Sequence, residues 1–189
     1  FVDPDGRDPL KNRAATGEGI YSADYFISDH RINATGLTLS FSGNTITSNN
    51  NVFSAVTGDF FFVSGAINDD NNGTFKIVQN ASNSQTTAIV DRDLVSESNT
   101  ANCTVKNNVK GSTALMLEAS TTTASGLLKR GDYLAIYDGA SLTSSTPTQL
   151  VMCTENATET IVGGGNNHYA VEIQPKLRAN FNDGWYVGF

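Results

Sequence analysis

Charge is the first thing this chain is short of. Asp, Glu, Lys and Arg make up only 16% of its 189 residues, against roughly 25% in ordinary globular domains, so solvation falls to Ser, Thr, Asn and Gly. What charge there is runs acidic, a formal -7 at pH 7, and the strongest basic grouping is the pair Lys129, Arg130 beside a turn. Such a surface repels a phosphate backbone, which excludes nucleic acid as an expected partner. Long apolar runs are missing too. None approaches the ~20 residues that span a bilayer, so no membrane partner is expected and the chain reads as soluble. Cysteine is limited to Cys103 and Cys153, which is no disulfide framework; two buried free thiols are the first reading and one bridge the second. The two histidines, His30 and His168, stand far apart with no Cys or His at ligand spacing, so no zinc site is expected. No serine sits in Gly-x-Ser-x-Gly. Neither a catalytic residue nor a cofactor is expected.

What the chain has is β grammar. Thr57, Gly58, Asp59, Phe60, Phe61, Phe62, Val63, Ser64, Gly65 reads as a strand with a turn at each end. Three consecutive phenylalanines cannot all face water cheaply, since each buries about 2 kcal/mol of apolar surface. A polar tip, Asn68 to Gly73, then leads into a return run, Thr74 to Gln79. The same order recurs at Arg130, Gly131, Asp132, Tyr133, Leu134, Ala135, Ile136, Tyr137, with a return run from Gln149 to Cys153. Leu37, Leu39, Phe41 precede the first Gly-Asp turn and Leu115, Leu117 the second; further strands are expected at 87–90 and 103–106, and at 169–173 and 185–189. The fold class is therefore all-β: two related small five-stranded sandwich or barrel modules, residues 37–106 and 112–189, joined by a linker at 107–111. Residues 1–36 read as an extended N-terminal arm.

Candidate sites are few, and each has a plain alternative. Asn68, Asp70, Asn72 and Gly73 nearly spell a calcium loop, but Gln79 stands where the bidentate glutamate belongs; a hairpin tip capping its own backbone is the simpler reading. Arg130, Gly131, Asp132 spells the tripeptide that integrins read, and also the turn needed to match Gly58, Asp59. Glu118, Glu155, Glu159 and Glu172 include enough carboxylates for a glycosidase pair, with strand solvation the alternative. Tyr21, Tyr25, Phe26, Trp185 and Tyr186 are the candidates for a contact surface.

The run Val171, Glu172, Ile173, Gln174, Pro175, Lys176, Leu177, Arg178 ahead of Asp183, Gly184, together with Gly131, Asp132, Tyr133, resembles modules in tail-associated structural proteins of tailed bacteriophages. The first half, through Gly58 to Gly65 and Asn72, Gly73, Thr74, Phe75, is similar to another recurrent phage-virion pattern. The resemblance implies a non-enzymatic subunit of the extracellular virion, in the tail or neck or on the capsid surface. Its implied partners are copies of itself, as a homo-oligomer, and other virion proteins. A secreted adhesin or carbohydrate-binding module, using Trp185, Tyr186 and Tyr169 as a sugar platform, is the alternative.

Overall fold

The computed structural model describes residues 25–28, 32–53, 57–80, 85–119, 128–139, 147–161 and 167–188, and the protein is all-β. In chain order the strands are β1 (Tyr25–Ile27), β2 (Asn33–Ser48), β3 (Phe60–Ser64), β4 (Gly73–Asn80), β5 (Thr87–Lys106), β6 (Ala114–Ala119), β7 (Tyr133–Ile136), β8 (Gln149–Cys153), β9 (Thr158–Ile161), β10 (Asn167–Gln174) and β11 (Tyr186–Gly188). A single 3-10 turn, Asp69–Asn71, lies between β3 and β4.

Six strands close a barrel in the order β6, β1, β11, β7, β8, β10, with β10 pairing back onto β6. All its pairings are antiparallel; β9 pairs with the first half of β10 and β8 with its end. Alternate residues fill the interior, among them Leu115, Leu117, Leu134, Ile136, Val151, Cys153, Tyr169, Val171, Ile173 and Val187. This period of two is what a pleated strand imposes.

The other sheet is built on β2 and the 20-residue β5, in the order β2, β5, β3, β4 with β4 also pairing β5. The start of β5 pairs β4 through Ile77↔Val90, its end pairs β3 through Val63↔Val105, and β3 pairs β4. One strand can serve both only if it bends double. Five register shifts against β2 interrupt the ladder, and Asn99 and Asn102 take the positive φ of bulges. The backbone of Asn49 donates to the carbonyl of Thr38 at 3.1 Å, bringing the two halves of β2 together. Leu37, Phe41, Ile46, Phe61, Val63, Phe75, Ile77, Ala88, Val90 and Val105 fill the curled interior.

The sequence expectation of five strands per module meets a different arrangement. Residues 87–90 and 103–106, read as separate strands, are the two ends of β5; between them all but Leu94, Glu97 and Thr100 are exposed, so the apolar alternation that marks a strand is missing there. β9 was not anticipated. Residues 25–27, expected within the arm of 1–36, form β1 and belong to the barrel, where the strand sits between β6 and β11; residues 1–24 lie outside the described residues. The chain thus starts the barrel, leaves to build the curled sheet, and returns at β6 to finish it. In the expected linker Asn107 and Asn108 are buried, Val109 and Gly111 half-buried and only Lys110 exposed.

Pairings recur between the two sheets with matching register. Gly58 donates to Ile77 and Ile77 to Asp59, while Gly131 donates to Cys153 and Cys153 to Asp132, each at 2.8 Å. Tyr133↔Met152 and Leu134↔Val151 repeat Phe60↔Lys76 and Phe61↔Phe75. Val187↔Ile136 repeats Val105↔Val63. Ile173↔Cys153 with Val171↔Leu115 repeats Val90↔Ile77 with Ala88↔Ile46. Every one of these inward positions is apolar and buried.

Outward positions differ, and that difference makes the joint. Phe61 and Val63 point into the curled sheet, so Phe60 and Phe62 point out. Phe60 lands on Ala114, Met116 and Ala170 of the barrel's outer face, its amide on the Met116 sulfur at 3.4 Å. Phe62 lies over Gly111, where a Cβ would stand 3.3 Å from the ring. Phe60 and Phe62 thus form the joint while Phe61 fills the core beneath them; Tyr133, the counterpart of Phe60, is 55% exposed.

Candidate functional site

The Asn-rich tip is held by its own side chains. Asn68 Oδ1 accepts from the Asp70 amide at 3.0 Å and caps the 3-10 turn. Asn72 Oδ1 accepts from the Ala66 amide, while its Nδ2 donates to the Ala66 and Asn68 carbonyls. Two of the three oxygens proposed for calcium are therefore already bound to backbone, which is the self-capping alternative. Among the described residues no group of three or more His, Cys, Asp or Glu is placed to hold a metal ion.

Glu97 on β5, a residue with no sequence signal, clamps this tip. Its carboxylate accepts from the amides of Ile67 and Asn68, from Thr100 Oγ1 and from Asn71 Nδ2. Asn71 in turn pairs both ways with the backbone of Val95. Burial alone would raise the Glu97 pKa; the hydrogen bonds from Asn68, Thr100, Ile67 and Asn71 outweigh it and hold the carboxyl below its ordinary 4.5. A depressed folded pKa stabilises the protein above the unfolded value, and that stabilisation is lost as pH falls through the folded one. Amide protection at Ile67 and Asn68, taken as the ratio of the intrinsic to the observed exchange rate, should therefore be high at neutral pH and fall as pH drops below 4.5. Glu97→Gln should cost about 1 kcal/mol at pH 7, since solvent screens this carboxylate and the amide keeps one acceptor oxygen, and it should abolish that acid dependence; an unchanged protection profile would dismiss the clamp.

The Arg-Gly-Asp tripeptide is a closed turn. Asp132 Oδ2 accepts from the Lys129 amide at 2.8 Å, and the Arg130 amide donates to Asn156 Oδ1 at 3.0 Å. Of the contact candidates, Tyr25 lies fully buried inside the barrel, edge-on to Tyr169 at 5.9 Å. Tyr169 is buried as well, and Trp185 packs edge-on against Phe181 beside the barrel core. Phe26 and Tyr186 remain half-buried outside, edge to face at 5.9 Å, with Tyr137 beside Tyr186 at 5.8 Å. Gly188 passes under the two tyrosines, where a Cβ would stand 3.3 Å from Tyr137. Tyr21 lies outside the described residues, as does His30.

Of the four glutamates, Glu155 and Glu172 come together in a groove of about 370 Å³ at the joint, lined also by Phe60, Lys76, Asn156, Thr158 and Ala170. Lys76 Nζ sits 5.3 Å from the Phe60 ring centroid. Glu118 lies opposite His168 on the outer face, where His168 Nδ1 meets Ser28 Oγ at 3.2 Å in a buried contact. Both cysteines are free, as the first reading had it, one in each core. Burial and then the nearby Asp132 push the Cys153 thiol up to about 12, so neither pH nor exposure makes it a nucleophile.

No family model, curated protein or solved structure matches the chain. Its surfaces carry the functional reading. The outer face of β7 and β8 presents Tyr133, Ala135, Leu150 and Met152, with Leu150 57% exposed. Sequence reasoning passed over this face although the signal was present: Tyr133 to Ile136 is apolar without a break, and a strand apolar on both sides has two faces to cover.

Proposed function

We propose that this chain is a non-enzymatic structural subunit of a tailed-phage virion. It is built from two copies of one barrel unit and assembles by protein contacts in the tail or neck or on the capsid surface. The observation that supports this most is the recurrence of register: β2 and β5, each counted as two halves, match β1, β6, β10 and β11, and β3 and β4 match β7 and β8. The unit is then six strand segments, with one copy inserted between the first and second strands of the other. Side chains that looked chemical in the sequence, Asn68, Asn72 and Asp132, hold backbone amides, which fixes loop shape rather than a substrate. The resemblance of the runs at 131–133 and 171–178 to phage tail-associated modules suggests the setting.

The reading is tested by mass spectrometry of purified particles from the phage that encodes the chain. Stoichiometric presence, in a copy number set by the particle's rotational symmetry, is expected. Recovery from the soluble lysate alone would end it. Of the Trp185, Tyr186 and Tyr169 that the adhesin reading uses, Tyr186 remains half-buried on the outside; glycan-array binding lost on Tyr186→Ala would favour that reading instead.

A further inference from the structure

The register match assigns each outer face of one barrel unit a counterpart on the other. Inside the chain, the outer face of β3 and β4 (Phe60, Phe62, Thr74, Lys76) is the donor, seated on the outer face of β6 and β10. Thr74 Oγ1 also accepts from the Thr113 amide at 2.9 Å at this contact. The donor's counterpart is the outer face of β7 and β8, where Tyr133, Ala135, Leu150 and Met152 take the places of Phe60, Phe62, Thr74 and Lys76. Nothing in the described residues sits on Tyr133 and Leu150 as the barrel sits on Phe60.

The acceptor has a counterpart as well. Ala114, Met116 and Ala170 correspond through the paired registers to Thr45, Thr47 and Thr87, with Ile89 in the place of Glu172. These four face outward on the curled sheet, with Thr47 exposed and the others half-buried. Donor and acceptor counterparts lie on different units of the chain and neither carries a charged side chain. On a chain of net charge -7, uncharged faces are where copies meet without repulsion. Replacement of Lys76 by Met152 and of Glu172 by Ile89 removes the charges that border the internal joint.

We propose that a second copy of this chain docks its Thr45, Thr47, Thr87, Ile89 face on the Tyr133, Ala135, Leu150, Met152 face of the first, repeating between copies the barrel-on-barrel contact within each copy. Such a contact is heterologous, since two different surfaces meet. It closes into a ring if the rotation per copy divides a full turn and otherwise runs on as a filament. The proposal rests on the reading of the chain as a self-assembling subunit and names the surfaces that reading needs.

The test is sedimentation of the full chain from micromolar to about 100 µM, the range in which a weak specific contact shows itself. The wild type is expected to form rings or open oligomers. Leu150→Glu on the donor face and Thr47→Glu on the acceptor face should each weaken association at least tenfold with unchanged circular dichroism, since both side chains point away from the cores. Mixing the two variants decides the geometry: each retains one intact face, so the mixture should stop at one-to-one dimers. A monomeric wild type, association indifferent to both substitutions, or a mixture without dimers overturns the proposal. A monomer that is still found in purified particles refutes this contact and leaves the virion reading standing; oligomers as predicted with no chain in particles do the reverse.

Discussion

A chain that begins at Ile32, lacking β1, will lose the barrel, whereas one that begins at Ile20 will keep it. β1 is only three residues long, but it fills the one gap in a closed ring: Tyr25 pairs with Val187 on one side and Ala119 on the other. The Ile27 amide and carbonyl are taken by Trp185 and Gly184. Tyr25 and Ile27 are 0% and 1% exposed, so their loss removes about 2 to 5 kcal/mol apiece once the cavity is counted. Two strand edges also lose their partners. The sum approaches the whole stability of a typical domain, about 5 to 15 kcal/mol. The expected result is loss of exchange protection across β6, β10 and β11, with protection retained in β3, β4 and β5, whose core is separate. Equal melting temperatures for the two truncations would show that β1 is peripheral.

The contrast explains which parts of the fold were legible in the sequence. Phe60 to Val63 and Tyr133 to Ile136 were readable because a Gly-Asp turn marks the start of each, and the structure closes both turns with the same pair of hydrogen bonds. β1 was not readable, since Tyr25, Phe26, Ile27 become a strand only through partners far along the chain, at 117–119 and 186–187. Local pattern cannot register a pairing of that kind. β5 was split because Asp91 to Ser98 is nearly all exposed, held extended by its pairing to β2 and by contacts such as Asn71 with Val95. At the candidate surfaces, composition pointed to Trp185 and Tyr25 because they are large and aromatic; burial decided otherwise. Leu150 and Met152 lacked any motif, and only the register across β7 and β8 shows that they share a face with Tyr133.

Asn108→Ala should be the most damaging single polar substitution, because this one side chain ties the end of β1 to β6. Asn108 Nδ2 donates to the Ser28 carbonyl at 2.8 Å and the Met116 carbonyl at 3.1 Å, and Oδ1 accepts from the Met116 amide at 2.8 Å. Its own carbonyl accepts from Phe181 at 2.9 Å. The residue is 2% exposed, so water cannot replace the lost partners. The Met116 carbonyl keeps the Ser28 amide at 3.0 Å, while the Ser28 carbonyl and the Met116 amide lose the Asn108 side chain as a partner, at about 1 to 3 kcal/mol each. Asn108 also holds φ at 52°, a left-handed backbone that costs alanine about 1 kcal/mol more than glycine. Asn108→Ala is therefore expected to lose about 4 kcal/mol and roughly 10 °C in melting temperature. Asn108→Gly should lose about 1 kcal/mol less, because glycine accepts the backbone but not the hydrogen bonds. If the two variants melt together, the positive φ contributes nothing. If both melt with the wild type, the end of β1 and β6 are held together by apolar packing, and the buried side-chain amide is incidental.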